Sequence, residues 1–178
     1  MLTLNPRTST LLLVDLQARL MPAIEEGAAA VANARRLRDA AAILGVPVVL
    51  TEQYPSGLGA TVPELSSDTD GTVARKMTFD ACREDGFVDL LRERPDVVVA
   101  GCETHVCVLQ TVLGLIDRSR RVFLVRDAVG SRRAESKETA IRRMERHGAE
   151  IVTTEMVVFE WLETAEHPHF REVLALVR

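Results

Sequence analysis

The sequence predicts an α/β fold: an open, mostly parallel, doubly wound sheet of about six strands with helices on both faces, a Rossmann-like three-layer sandwich. Three observations carry this. Runs such as "TSTLLLVDLQ", "DVVVAG" and "RVFLVRDA" are almost continuously apolar and rich in β-branched residues, as strands buried on both faces are. These runs alternate with stretches whose apolar residues recur at helical spacing, which implies parallel pairing through right-handed crossovers. The chain has 178 residues, 47% of them hydrophobic, which suits one domain, 1–178, with a sizeable core.

The elements follow in order. "TSTLLLVDLQ" is the first strand and ends near Asp15. Val31, Ala34, Leu37, Ala41 and Leu44 share one face of a helix over 28–44, and Gly45 stops it. "VPVVLTE" is the second strand. The Gly-, Pro-, Ser- and Asp-rich stretch 53–71 is expected to be a long loop of functional type. "TVARKM" is a short strand, and 83–92 a helix with Phe87, Val88, Leu90 and Leu91 inward. "DVVVAG" precedes a helix over 104–117 with Val108, Leu109, Val112, Leu115 and Ile116 on one face. "RVFLVRDA" is followed by a helix over 134–147 that Gly148 ends, and "AEIVTT" is the last strand. Short helices close the chain, with Pro168 in the first turn of the last one.

In an open parallel sheet, ligands bind beyond the carboxyl ends of the strands. That rule gathers Asp15, Glu52 to Tyr54, Lys76 and the segment "GCETHVC", residues 101–107, on one rim. A net charge of −4 gives no broad surface for nucleic acid or anionic membrane, and the Arg-rich stretches mix both signs. No run of about 20 apolar residues predicts a membrane span, and the N-terminus lacks the pattern of a signal peptide. Three cysteines, an odd and sparse set, suit a reduced, cytoplasmic setting. The chain has neither G-x-G-x-x-G after the first strand nor G-x-x-x-x-G-K-[ST], which argues against nucleotide binding.

The quoted segment holds Cys102, His105 and Cys107. On a helix, His105 and Cys107 sit about 200° apart, which is poor geometry for one metal ion. Cys102 and Cys107 do not make a C-x-x-C pair. Burial as packing is the plain expectation for Cys82 and Cys102. Cys107 differs by position. It falls in the first turn of a helix, where unpaired N–H groups and the dipole favour a thiolate and an oxyanion. Asp15 ends the strand expected alongside, and Lys76 ends another element on the same rim. The residues alone leave packing and nucleophilic chemistry both open.

Three stretches in order and spacing, "LLLVDLQ", "ARKMTFDA" and "GCETHVCVLQT", resemble the signatures of the isochorismatase-like cysteine hydrolases, and the likeness runs over nearly the whole chain. "LTEQYPSGLGATVPEL" and "AEHPHF" resemble one subgroup, the small isochorismatase-domain-containing hydrolases. The resemblance implies a Cys–Asp–Lys triad, here Cys107, Asp15 and Lys76. Asp15 would take the thiol proton and return it to the leaving group, Lys76 would keep Asp15 charged and oriented, and Cys107 would form a covalent intermediate that water hydrolyses. It also implies a non-proline cis peptide at Cys102–Glu103, and an oxyanion hole from the N–H groups of Glu103 and Cys107. Thr104, as a helix N-cap, would compete for the Cys107 N–H.

Gln17, Gln53, Tyr54 and Phe79 are candidates to line the substrate pocket. Asp127 reads as a loop-ordering residue. Relatives that hydrolyse nicotinamide bind zinc through an Asp and His cluster after the second strand. "TEQYPSGLG" has no histidine there, so neither metal nor cofactor is expected. The resemblance thus implies a hydrolase of a small C–N, amide-type substrate that self-associates, as relatives commonly do. The alternative from another class is a vestigial member that binds a small molecule or senses oxidants through cysteine. For the active reading, Cys107 is expected to be thiolate-rich and exposed at the pocket floor, with Cys82 and Cys102 inert.

Overall fold

The computed structural model describes residues 2–66, 71–91 and 93–178. Residues 67–70 of the expected long loop and residue 92, the last of the helix expected over 83–92, lie outside them. The chain runs β1 (Ser9–Val14), α1 (Gly27–Leu44), β2 (Val48–Gln53), α2 (Pro55–Leu58), α3 (Pro63–Ser66), β3 (Thr72–Lys76), α4 (Phe87–Leu90), β4 (Asp96–Cys102), α5 (Leu109–Asp117), β5 (Arg121–Gly130), α6 (Ala134–Arg146), β6 (Glu150–Val152), α7 (Thr154–Leu162) and α8 (Phe170–Leu174). The six strands form one sheet in the order β3-β2-β1-β4-β5-β6, with every neighbouring pair parallel.

Alternation along the strands divides the core into two layers. Leu11, Leu13, Leu50, Val98 and Phe123 face α1 and α7, where they meet Ala34, Leu37, Val157 and Trp161. Leu12, Val14, Val49, Val99 and Leu124 face the other way, onto Phe87, Val112, Leu115, Ile141 and Met144. The period of two that sorts these side chains also sorts the end of β2: Thr51 and Gln53 share a face, and Glu52 points to the opposite one. Trp161 is fully buried, and its indole N–H donates to Ser9 Oγ at 3.1 Å.

The expected elements needed adjusting where local hydrogen bonding overrides hydrophobic spacing. The stretch 53–71 is not one structureless loop, because β2 reaches Gln53 and the single turns α2 and α3 follow, each opened by a proline. The helix expected over 83–92 shrinks to a 3₁₀ turn at Ala81–Arg83, which Asp80 caps by accepting the Cys82 N–H, and to the one turn of α4. The helix expected over 104–117 opens with a π turn, Thr104–Val108, and only then becomes α5. "AEIVTT" is strand only over Glu150–Val152, because Thr153 caps α7 by accepting the Met156 N–H. Pro168 precedes α8 instead of sitting in its first turn.

β5 runs on to Gly130 through a bulge. Val99 pairs with Leu124 but Gly101 pairs with Val129, so Val125–Ala128 bow out of the ladder. Asp127 lies in this bow and accepts the N–H and hydroxyl of Thr154 at 2.8 and 3.0 Å, which ties β5 to the start of α7.

The order in which strands are added to the sheet reverses between β1 and β4, so their carboxyl ends open the crevice where such sheets bind ligands. Gly101, near the end of β4, has φ +128°, and a Cβ there would collide with the backbone carbonyl of Val14. The close approach of β1 and β4 at this point therefore requires glycine. Gly101→Ala is expected to destabilise the fold by at least ~3 kcal/mol in urea unfolding; an unchanged midpoint would contradict this placement of the two strands.

Candidate active site

Asp15 follows the last residue of β1 and adopts a left-handed conformation, φ +49°. This turn leaves its side chain among the ends of β2, β3 and β4, and it is fully buried. Lys76, the last residue of β3, is buried at 3% exposure, and its ammonium lies 2.8 Å from Asp15 Oδ2. Two charges so far from water persist only when paired and surrounded by polar groups. The surroundings are present. Lys76 Nζ donates to Gln53 Oε1 at 2.7 Å and to the carbonyls of Thr78 and Phe79 at 3.3 and 3.5 Å. Asp15 Oδ1 accepts the Thr51 hydroxyl at 2.6 Å. Asp15 Oδ2 accepts no hydrogen bond of good geometry, so its approach to Lys76 is a charge contact that leaves a lone pair open.

The turn that supplies the two carbonyls is itself held. Glu84 Oε1 accepts from Met77 N–H, Thr78 N–H and the Thr78 hydroxyl. The Thr78 N–H bond is the main reason the Glu84 carboxyl titrates below its ordinary value.

Cys107 lies in the π turn after β4 and packs with Val14, Val49 and Val108. Its Sγ is 3.9 Å from Gln53 Oε1. The thiol is pushed up to about 12, first by burial and then by the charge of Asp15, with Lys76 pulling the other way. This corrects the expectation of an exposed, thiolate-rich cysteine: Cys107 is 6% exposed. The helix dipole loses here because the side chain is desolvated and next to a carboxylate. A thiol at about 12 is thiolate in only ~1 part in 10⁵ at pH 7, so the resting group is S–H with a base beside it.

The other sequence candidates divide. Gln53 is in contact with Lys76 and with the Cys107 thiol. Gln17 is fully buried and spends its amide on backbone, accepting Gln53 N–H at 2.9 Å and donating to the carbonyls of Gln53 and Gly59 at 3.0 and 2.6 Å. It brackets Gln53 instead of lining a pocket. Tyr54 and Phe79 are about half exposed and flank the end of β2 and the turn after β3, as does Met77, which sequence reasoning missed. The Tyr54 ring lies on Gly57, where any Cβ would meet it. Glu103 turns its carboxylate to the N–H and guanidinium of Arg132, at 3.1 and 3.0 Å. The Cys102–Glu103 peptide is cis. Thr104 donates its hydroxyl to Gly130 O at 2.9 Å and makes no side-chain cap, which removes the expected competition for the Cys107 N–H.

His105 pairs with Ser131 Oγ at 3.0 Å. Cys82 and Cys102 are buried, and burial pushes both thiols up to about 12. Thr51 is a site residue that sequence reasoning did not name. A groove of about 850 Å³, lined by Met21, Val31, Arg36 and Leu176 among others, lies on the α1 side of the sheet and touches none of the charged pair, Gln53 or Cys107.

A family model described as "Isochorismatase domain" matches residues 9–156. "Isochorismatase domain-containing protein 1" of Danio rerio is 38% identical over 178 residues, 98% of this chain and 62% of that protein, so the chain spans less than two thirds of its length. "Isochorismatase domain-containing protein 2" of the same species is 36% identical over 98% of this chain and 89% of that protein. Among solved structures, the chain is similar to one described as MAR1 ribonuclease from Caenorhabditis elegans, at 37% identity and TM-score 0.94, covering 98% of this chain and 92% of that one. YcaC from Pseudomonas aeruginosa, solved with hexane-2,5-diol and covalent acrylamide, is 26% identical with TM-score 0.91 over 98% and 91% of the two chains. The Escherichia coli YcaC gene product, described as an octameric hydrolase of unknown specificity, is 26% identical with TM-score 0.89 over 98% and 96%.

The geometry gives the three thiols different reactivities although burial raises all of them. Iodoacetamide at pH 7 is expected to label Cys107 far faster than Cys82 or Cys102 in the folded protein, because only Cys107 borders the Asp15–Lys76 pair. Since burial raises the Cys107 thiol from 9.0 to about 12, unassisted labelling by thiolate is expected to rise about tenfold per pH unit and to level off only near pH 12 instead of near pH 9. Peptide mapping at several pH values reads both. Equal rates at all three cysteines at pH 7 would contradict the assignment.

Proposed function

The chain belongs to the isochorismatase-domain family, and from that premise we propose that it hydrolyses a small C–N, amide-type substrate through a covalent intermediate on Cys107. The observation that carries this reading is the open lone pair of Asp15 Oδ2, buried beside Lys76 and a protonated cysteine at the switch point of the sheet.

Cys107 Sγ attacks the substrate carbonyl carbon, its proton passes to Asp15 Oδ2, and the carbonyl π pair moves to oxygen. The N–H groups of Glu103 and Cys107 are the proposed donors to that oxyanion. The oxyanion collapses, the C–N bond breaks, and the amine leaves with the proton from Asp15. Water then attacks the thioester, gives a proton to Asp15, and releases the acid as Cys107 regains its proton. Lys76 stays charged throughout and holds the carboxylate in place. Gln53 holds both Lys76 and the thiol. Tyr54 and Phe79 are the proposed walls for the substrate.

The P. aeruginosa relative with covalent acrylamide supports a reactive nucleophile in this fold. The octameric E. coli relative supports self-association of this chain too. The segment after β2 offers no histidine between Thr51 and Thr61, so a zinc ion held as in nicotinamide hydrolases does not fit these residues. The C. elegans relative described as a ribonuclease supplies a second reading, phosphodiester cleavage. A net charge of −4 works against attraction of a polyanion, and that chemistry does not call for a thiol beside the base.

A screen of small amides with intact-protein mass spectrometry tests the reading. A substrate is expected to leave a transient acyl mass on Cys107. Asp15→Asn and Lys76→Ala are expected to lower turnover by about 10²–10⁴, with Cys107→Ala losing more. EDTA is expected to leave turnover unchanged, and sedimentation to show a species larger than monomer. A Cys107→Ala protein that retains most of its amide turnover would sink the covalent route. RNA cleavage that survives Cys107→Ala would favour the second reading.

A further inference from the structure

We propose that Thr51 is a positioning residue that selects which oxygen of Asp15 receives the Cys107 proton. The proposal rests on the reading of Asp15 as the base and assigns it a partner outside the triad.

Thr51 sits in β2 opposite Val14 of β1, one residue before Asp15, and is 1% exposed. Its hydroxyl is engaged twice by the same residue. Thr51 Oγ1 accepts the Asp15 N–H at 3.2 Å and donates to Asp15 Oδ1 at 2.6 Å. A hydroxyl has one proton to give, and here that proton lies on Oδ1. The bond is short and charge-assisted, so it is among the stronger hydrogen bonds of the site. The β-branch of threonine restricts its χ1, which helps fix the direction of the donor.

The consequence concerns the other oxygen. With Oδ1 already accepting from Thr51, an incoming proton has Oδ2 as its more open acceptor, and Oδ2 is the atom beside Lys76 with no hydrogen bond of its own. Without the Thr51 hydroxyl, the carboxylate loses the hydrogen bond that holds its plane and the donor that favours its charged form. The two oxygens would then compete for the proton. Thr51 touches neither thiol nor substrate in this account and acts through Asp15.

The test needs no substrate. In iodoacetamide labelling the Cys107 S–H proton goes to Asp15, the S–C bond forms and iodide leaves. The pH profile of this reaction is expected to show a base-assisted plateau around neutrality and a separate alkaline rise from free thiolate. Thr51→Val is expected to lower the plateau about 10- to 100-fold. Thr51→Ser, which restores the hydroxyl, is expected to recover the rate to within about threefold of the parent. Should the valine protein not fold, Thr51→Ala makes the same comparison with Thr51→Ser.

A valine or alanine variant with the parent plateau overturns the proposal. So does a serine variant as impaired as the valine one, because the methyl group and not the hydroxyl would then matter. Asp15→Asn separates the two levels. If it abolishes the plateau while Thr51→Val does not, only the role of Thr51 fails. If Asp15→Asn keeps the plateau, the reading of Asp15 as the base fails.

Discussion

The buried ion pair between Asp15 and Lys76 is the constraint around which this end of the sheet is arranged. Both side chains are almost wholly shielded from water. Removing two charges from water costs several kcal/mol per ion, and attraction offsets that cost only when the geometry is good and other polar groups complete the shell. The fold supplies the shell from four directions. β2 contributes Thr51 to the carboxylate and Gln53 to the ammonium. The turn after β3, gathered by Glu84, contributes two carbonyls. Gln17 brackets the backbone of Gln53. Gly101 permits β4 to approach the end of β1, after which the chain turns to present Cys107.

This arrangement sets the resting state of the cysteine. A dipole-activated thiolate needs solvation or an unopposed cation, and Cys107 has neither, because Asp15 opposes Lys76 and burial penalises the anion. The pair of groups therefore stores one proton on sulfur and an acceptor next to it. The exposed side chains of Tyr54, Met77 and Phe79 stand near this closed centre, whereas the 850 Å³ groove on the α1 side is remote from it.

Much of this was legible in the sequence, and the gaps have physical causes. The apolar runs and helical spacings located all six strands, and the rule that ligands sit at carboxyl ends put Asp15, Gln53, Lys76 and Cys107 on one rim before any contact was known. The roles proposed for Asp15, Lys76 and Cys107 came from resemblance, since spacing alone cannot tell a capping carboxylate from a base. Thr51 stayed hidden because a threonine inside a strand reads as ordinary β-propensity. Its significance appears only in the register that sets it against Val14. Gln17, expected as a pocket-lining residue, spends its amide on backbone; sequence does not say whether an amide faces a ligand or a backbone. The π turn and the burial of Cys107 were missed for a related reason: hydrophobic periodicity describes which face of a helix is covered and not how its first turn is wound.

A double-mutant cycle on Asp15→Asn and Lys76→Met, read by urea unfolding and by Cys107 labelling at pH 7, tests the central claim most directly. Each single variant leaves one uncompensated buried charge, so each is expected to lose about 3–5 kcal/mol of stability, while the double variant loses much less than their sum. Base-assisted labelling of Cys107 is expected to be absent from all three. A Lys76→Met protein as stable as the parent, with additive effects in the double variant and undiminished labelling, would show that the pair neither organises this end of the sheet nor prepares the thiol.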